Sequence, residues 1–338
     1  MTPLILEKLI EEVSADLPCG DNLEYDADFL AMERASKGKP EQAVGEKIIE
    51  AEEPDWSEVH ARALKLLDRT RDIRVASHLT RALLHSEGIA GFARGLALLR
   101  AYLERHWANV HPQLDPEDGQ DPTARVNAIL ALTDPETTLG ALRRAPLVSS
   151  TLGRFGLRHL QLARGQIVPG AGETAPDPKS IDAAFAASAT DDLKATHQSV
   201  ADSLDSVAAL EAFFIATIGA NNAPDLSALS DTLKSMRGVL EEQLGRRGIV
   251  DGSAAHAPVP NGSGGVDLSG GIRTREDAAR ALDAIINYFA RHEPSSPVPL
   301  LLRRAKRLIS KSFLEIVRDL APEGIKQAES FRGADGEE

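Results

Sequence analysis

The sequence has one cysteine, Cys19, among 338 residues, so no disulfide can form within the chain. That fits a reducing compartment and leaves packing to hold the fold. Aromatic residues are scarce, at 4%, and Leu and Ala dominate the apolar set. This bias favours helices over a β-sandwich. No apolar run approaches the roughly 20 residues a helix needs to cross a bilayer. The longest, AAFAAS (183–188) and ALEAFFIATIGA (209–220), are short and Ala-rich. The opening MTPLILEKLIEEVS carries Glu7, Lys8, Glu11 and Glu12, and so lacks the basic and apolar regions of a signal peptide. These absences predict a cytoplasmic chain without membrane insertion. A Walker A sequence, a C-x-x-C pair and an H-E-x-x-H helix are also missing. The glycines of GSGG and SGG near 262–271 precede no phosphate-cradling strand–loop–helix unit and read as linker.

Charged residues make up 26% and apolar residues 42% of the chain, enough for a packed core and two or three domains. The net charge of −13 is unevenly spread: residues 273–332 hold 12 Lys and Arg against 8 Asp and Glu, a net of +4, while residues 1–272 carry −14. A basic end on an acidic body suits protein–protein complementarity better than nucleic-acid binding, which would also call for stacking aromatics.

Apolar periodicity predicts an all-α chain. A helix is expected over 3–15, a second over 26–36, and a loop with some helical character over 37–54. From Asp55, the stripe Trp56, Val59, Ala63, Leu66 and Leu67 marks a clear helix. Asp72 caps the next one, which Gly88 breaks, and another runs from Ile89 to Trp107. Two short helices over 122–143 are split near Asp134-Pro135. Residues 146–162, around Gly153, suggest a small hairpin or a strand followed by a helix. After a loop at 164–178 come three helical blocks, 178–189, 190–219 and 224–245. The expected domains are thus an N-terminal helical domain (1–165), a middle helical bundle (178–245), a Gly/Pro-rich flexible linker (246–272) and a small C-terminal helical module (273–332).

That module is the most distinctive part. An amphipathic helix over 274–291, opened by Thr274 with Asp277 three residues on, precedes EPSSPVPLLLRRAKRLISKSFLEIVRDLAPEG (293–324). Pro294, Pro297 and Pro299 fix a turn and a first helical turn. Val298, Leu301, Leu302, Ala305, Leu308 and Ile309 then follow the rhythm of a buried stripe, with Arg303, Arg304, Lys306 and Arg307 as a basic face between them. The stripe resumes at Phe313, Ile316, Val317 and Leu320. A module of about 60 residues is near the size at which oligomerisation supplements a small core, and a head-to-tail ring would bury part of its wide stripes. It is therefore expected to self-associate while 1–245 does not. Pro294, Pro297, Val298, Leu301, Leu302, Arg303, Arg304, Arg307, Phe313 and Ile316 are the interface candidates.

The search for catalytic chemistry returns plain readings. His78 and His85, seven apart on one helix, lack a third ligand at a natural spacing for zinc. His106 and His111 flank Trp107 as an aromatic plug at a helix end. The acidic loop DPEDGQDP has Val126 where a calcium loop would close with Glu. His292 beside Ser295 and Ser296 belongs to a proline-fixed turn. An enzyme would have to assemble scattered groups such as His78, Glu87 and Asp134, and no spacing supports it. No catalytic, cofactor or metal residues are assigned. A general helical protein–protein adaptor is the main rival reading.

Four strings resemble the ImpA-type N-terminal domain: PCGDNLEYDADF (18–29), PDWSEVHARALKLLDRTRDIRVASHLTRALL (54–84), LERHWANVHPQLDPEDG (103–119) and PLVSSTLGRFGLRHLQLARG (146–165). The end of the chain resembles the C-terminal module of the shorter TssA proteins of bacterial type VI secretion systems. The resemblance implies a non-enzymatic, cytoplasmic assembly protein. Its partners would be copies of itself in a ring, together with the baseplate, tube, sheath and membrane-complex components of a contractile, phage-tail-like machine. It would help start or guide assembly of the tube and sheath, and the EPSSP-bearing short form points to the baseplate.

Overall fold

A computed structural model describes residues 3–38, 42–44, 47–49, 53–114, 119–170, 172–249, 279, 282–283, 285–286, 298–308 and 311. The chain divides into two compact units, Met1–Gly252 and Ser253–Glu338.

The first unit is helical. Helix α1 (Pro3–Ile10) stops well short of the expected residue 15. Its last carbonyls are claimed by other parts of the fold: Arg71 donates to Lys8 O and Glu11 O, the Tyr102 hydroxyl to Leu9 O at 3.0 Å, and the His106 ring sits 2.8 Å from Ile10 O. Tertiary donors satisfy the orphan acceptors of the last turn, and the chain turns away although the apolar rhythm continues to Val13. Helix α2 (Ala27–Lys37) is capped by Asp26. The expected loop over 37–54 contains an antiparallel pair, β1 (Gln42–Val44) and β2 (Lys47–Ile49), in register Gln42–Ile49 to Val44–Lys47. Strands of three residues are too short for a period-2 signal to stand out. Helix α3 (Trp56–Leu67) begins where Asp55 accepts from Ser57 N and Glu58 N, and it buries Val59, Ala63, Leu66 and Leu67 as its stripe predicts.

Helix α4 (Ile73–His106) is capped by Asp72 and interrupted at Gly88, whose φ of 64° and ψ of −148° are not helical. The second half folds back on the first. A Cβ added at Gly95 would lie 2.5 Å from Thr80 Oγ1, and one at Gly91 would lie 2.4 Å from the Leu83 carbonyl oxygen. Small residues four apart let the two halves touch backbone to backbone, and Glu87 and Arg94 pair across the turn. After a cis His111–Pro112 bond come α5 (Thr123–Leu130), a 3-10 turn (Ala131–Thr133) and α6 (Thr138–Arg144), the latter separated by Asp134, which accepts from Thr137 N and Glu136 N. A hairpin of β3 (Pro146–Ser150) and β4 (Gly153–Gly156) leads into α7 (Leu157–Ala163), so both alternatives read from 146–162 are realised in one segment.

Helices α8 (Pro178–Ala187), α9 (Thr190–Ile218) and α10 (Ser227–Arg246) follow the three expected blocks. The start of α9 meets the end of α10, with His197 Nε2 3.7 Å from Glu241 and Arg247 donating to Thr190 Oγ1, so the two run antiparallel. They do not enclose a core of their own. Helix α9 packs along α4, Trp107 meets Phe213 and Phe214 edge-on at 5.3 and 5.8 Å, and one apolar cluster runs from Leu9 to Leu244. The sequence boundary between 165 and 178 is a loop within one packed unit, pinned where Arg158 holds Glu173 bidentately at 2.8 and 2.5 Å.

In the second unit, α11 (Val298–Leu308) is described, and Ala279, Leu282, Asp283, Ile285 and Ile286 of the expected 274–291 helix are helical. Most of the expected linker lies outside the described residues. Among the described residues no helix is long and apolar enough to cross a membrane.

Candidate interaction site

Helix α11 opens with Val298-Pro299, where a proline costs nothing because first-turn N–H groups have no helical partner. At 100° per residue, Val298, Leu302 and Lys306 lie on one side. They are half-buried, and Lys306 donates to both carboxylate oxygens of Asp283 at 2.6 Å. The opposite side is open: Leu300 is 68% and Leu301 66% exposed, beside exposed Arg303, Arg304, Ala305 and Arg307.

This changes two expectations. Leu301 and Ala305 were expected in the buried stripe with Leu302, yet they face outward and no residue of α11 is buried. Leu301 and Leu302 point 100° apart, and only Leu302 lies on the half-buried side with Val298 and Lys306. Lys306 was expected on the basic face but sits only about 40° from Leu302 and is drawn to Asp283. What remains outward is a mixed surface of two leucines and three arginines. Of the other interface candidates, Pro294, Pro297, Phe313 and Ile316 lie outside the described residues.

The groups weighed for chemistry have separate employments. His85 stacks on Trp56, ring centroids 4.5 Å apart, and the Arg81 guanidinium lies over the same Trp56 ring at 4.9 Å. His78 Nδ1 is shut off from solvent without a hydrogen bond. Burial, then the charges of Arg81 and Lys37, push the His78 pKa down to about 4. Glu87 pairs with Arg94, and Asp134 caps α6, its carboxyl held below the usual range by the Thr137 hydroxyl and backbone. His106 and His111 sit against the carbonyls of Ile10 and Gly20 around the Trp107 plug. Asp121 of the acidic loop accepts from Thr123, and residues 115–118 lie outside the described set. Among the described residues no three His, Cys, Asp or Glu side chains converge to hold a metal. Cys19 is buried, and that burial raises its thiol pKa to about 11, which makes it a poor nucleophile.

Three arginines that no spacing marked out hold the first unit together. Arg125, fully buried, donates to the carbonyls of Trp107, Val110 and Pro112 at 2.6, 2.7 and 2.8 Å and lies 4.4 Å over the Trp107 ring. Burial draws its pKa down to about 10. Arg71 clasps the end of α1 and the Leu67 carbonyl. Arg247 caps α8 through the carbonyls of Phe185 and Ser188. A guanidinium presents five donors in a planar fork, which suits clustered carbonyls.

Residues 10–134 match the family described as ImpA, N-terminal, type VI secretion system. A protein of Pseudomonas aeruginosa PAO1 named Type VI secretion system component TssA1 is 39% identical over 350 residues, covering 97% of this chain and 98% of that protein. The chain belongs to the TssA family. The N-terminal domain of the TssA component from Burkholderia cenocepacia, which includes the conserved ImpA_N region, superposes with a TM-score of 0.60 at 23% identity. That likeness covers 74% of this chain and 97% of the solved domain, and establishes a shared fold. TssA membership accords with the order of the four strings in the N-terminal half, and the near full-length alignment extends it to the basic end.

Proposed function

We propose that this TssA-family chain is a non-enzymatic structural component of a type VI secretion machine. It works on the cytoplasmic side at the baseplate, where it helps start or guide assembly of tube and sheath. Residues 273–332 join copies of the chain in a ring, and the acidic first unit reaches tube, sheath, baseplate or membrane-complex components. The observation that carries the self-association is the outward side of α11, where Leu300 and Leu301 are two-thirds exposed beside Arg303 and Arg307. Adjacent exposed leucines on a helix with no buried residue leave apolar area that a second copy would cover. Light scattering on the full chain, with and without Leu300→Asp and Leu301→Asp together, tests this. The expected result is a ring-sized mass for the parent and a much smaller mass for the variant, with far-UV circular dichroism unchanged. A parent that runs as a monomer would overturn the ring. Capture of tube, sheath or baseplate proteins by the tagged parent is expected as well, and capture of none would favour a general adaptor.

A further inference from the structure

The turn at Gly88 forms one wall of a cleft of about 520 Å³ in the first unit. Its other walls are the end of α6, the β3–β4 hairpin and the first half of α9. Arg144 enters from α6 and Arg154 from β4, both exposed and neither with a hydrogen bond or carboxylate partner among the described residues. Among the described residues the only carboxylate on the lining is Glu87, which pairs with Arg94. The hydroxyls of Ser149, Thr196 and Ser199 complete a polar lining. Leu152, at the tip of the same hairpin, is 57% exposed.

Two unpaired guanidiniums in one concavity stand out in a region that carries −14 over residues 1–272. Several other arginines of the unit find acids, Arg62 with Asp28 and Glu58, Arg69 with Asp26, Arg74 with Asp72 and Glu24, while Arg71, Arg125 and Arg247 find carbonyls. A guanidinium left open in a cleft can donate two parallel hydrogen bonds to a carboxylate. The volume suits one or two side chains rather than a folded surface. We infer that this cleft docks an acidic segment of a partner protein, with carboxylates at Arg144 and Arg154 and an adjoining apolar side chain on Leu152. The inference concerns the first unit alone and does not depend on ring formation. His85 offers a reporter inside the cleft. Burial, then Arg81 and Arg144, hold its pKa down while Glu53 pulls it up, so a carboxylate placed beside Arg144 should raise it.

The test uses the full chain and a fluorescein-labelled oligoglutamate peptide carrying one leucine, read by anisotropy. Oligoglutamine with the same leucine is the neutral control, and inorganic phosphate is the competitor. Binding of the acidic peptide is expected, with a loss of about tenfold or more in Arg144→Gln/Arg154→Gln. Arg100→Gln, which removes an exposed charge from the second half of α4 away from the cleft, should leave the affinity within about twofold. The His85 ring resonances of the parent should titrate at higher pH with peptide bound. Equal binding by parent and double variant, or none by the parent, would overturn the proposal. Displacement by phosphate at concentrations similar to those of the peptide would also overturn it, by marking a small-anion site.

Discussion

Arg125 shows how a single residue substitutes for the disulfides the chain lacks. Its three carbonyl partners belong to the turn between α4 and α5 that contains the cis His111–Pro112 bond, and no solvent reaches the side chain. Arg125→Ala strands three buried acceptors, and the expected loss is about 3–5 kcal/mol in urea unfolding. Arg125→Lys keeps the charge but not the fork, so it should recover only part of that loss. His78 makes a pH-dependent contribution. Its pKa is about 4 in the folded chain and about 6.5 when unfolded. Below pH about 6.5 the unfolded chain takes up a proton that the folded chain refuses, so stability falls as pH drops and is undiminished above neutrality. The expected cost is about 2 kcal/mol at pH about 5. Comparing urea midpoints at neutral pH and pH about 5, His78→Gln should be distinctly less pH-sensitive than the parent. Carboxylates such as Asp134, whose pKa is depressed, lose their contribution only at more acid pH, through their folded pKa. None of this was legible from residue types. An arginine between Ala124 and Val126 reads as a surface residue until the fold brings three carbonyls to it.

At the scale of elements, the most informative glycines lie in Gly88-x-x-Gly91-x-x-x-Gly95. The break at Gly88 was legible in the sequence, and so was the cap at Asp72, because each is a local preference with a short-range cause. That the chain doubles back at Gly88 was not legible. Periodicity gives a helix its buried face but not the direction in which the next helix leaves. The same limit holds for α9 and α10, whose stripes announce helices but not that α9 packs along α4. The glycines make opposite expectations for one substitution. Gly95→Ala would push a Cβ to 2.7 Å from the Thr80 Cα, forcing the two halves of α4 apart, and should cost about 1–3 kcal/mol. Gly88→Ala meets no neighbour within 4 Å, and its cost of similar size is purely torsional. Gly238→Ala, in the exposed middle of α10 with nothing within 4 Å, should stabilise by about 0.5–1 kcal/mol. Thermal denaturation of the three variants reads the signs directly, and a destabilised Gly238→Ala would contradict the packing described for α10.

Across the whole molecule, two different kinds of surface are kept apart. The first unit has a closed core with Tyr102, Phe92, Phe185 and Phe214 fully buried, and Arg71, Arg125 and Arg247 are spent on carbonyls. In the second unit α11 has no buried residue and a leucine pair in the open. Stability of the first unit should therefore be self-contained, while assembly should depend on the second. A chain ending at Gly252 is the direct probe. Its melting temperature is expected to stay within a few degrees of the first-unit transition of the full chain, because a domain-sized core shifts by about 2–4 °C for each kcal/mol and no large loss is expected. Its mass by light scattering is expected to be monomeric at concentrations where the full chain is oligomeric. A fragment that unfolds much earlier would mean that residues 253–338 complete the first core. A fragment that still assembles would move the self-association surface into the first unit and leave the outward side of α11 for another component.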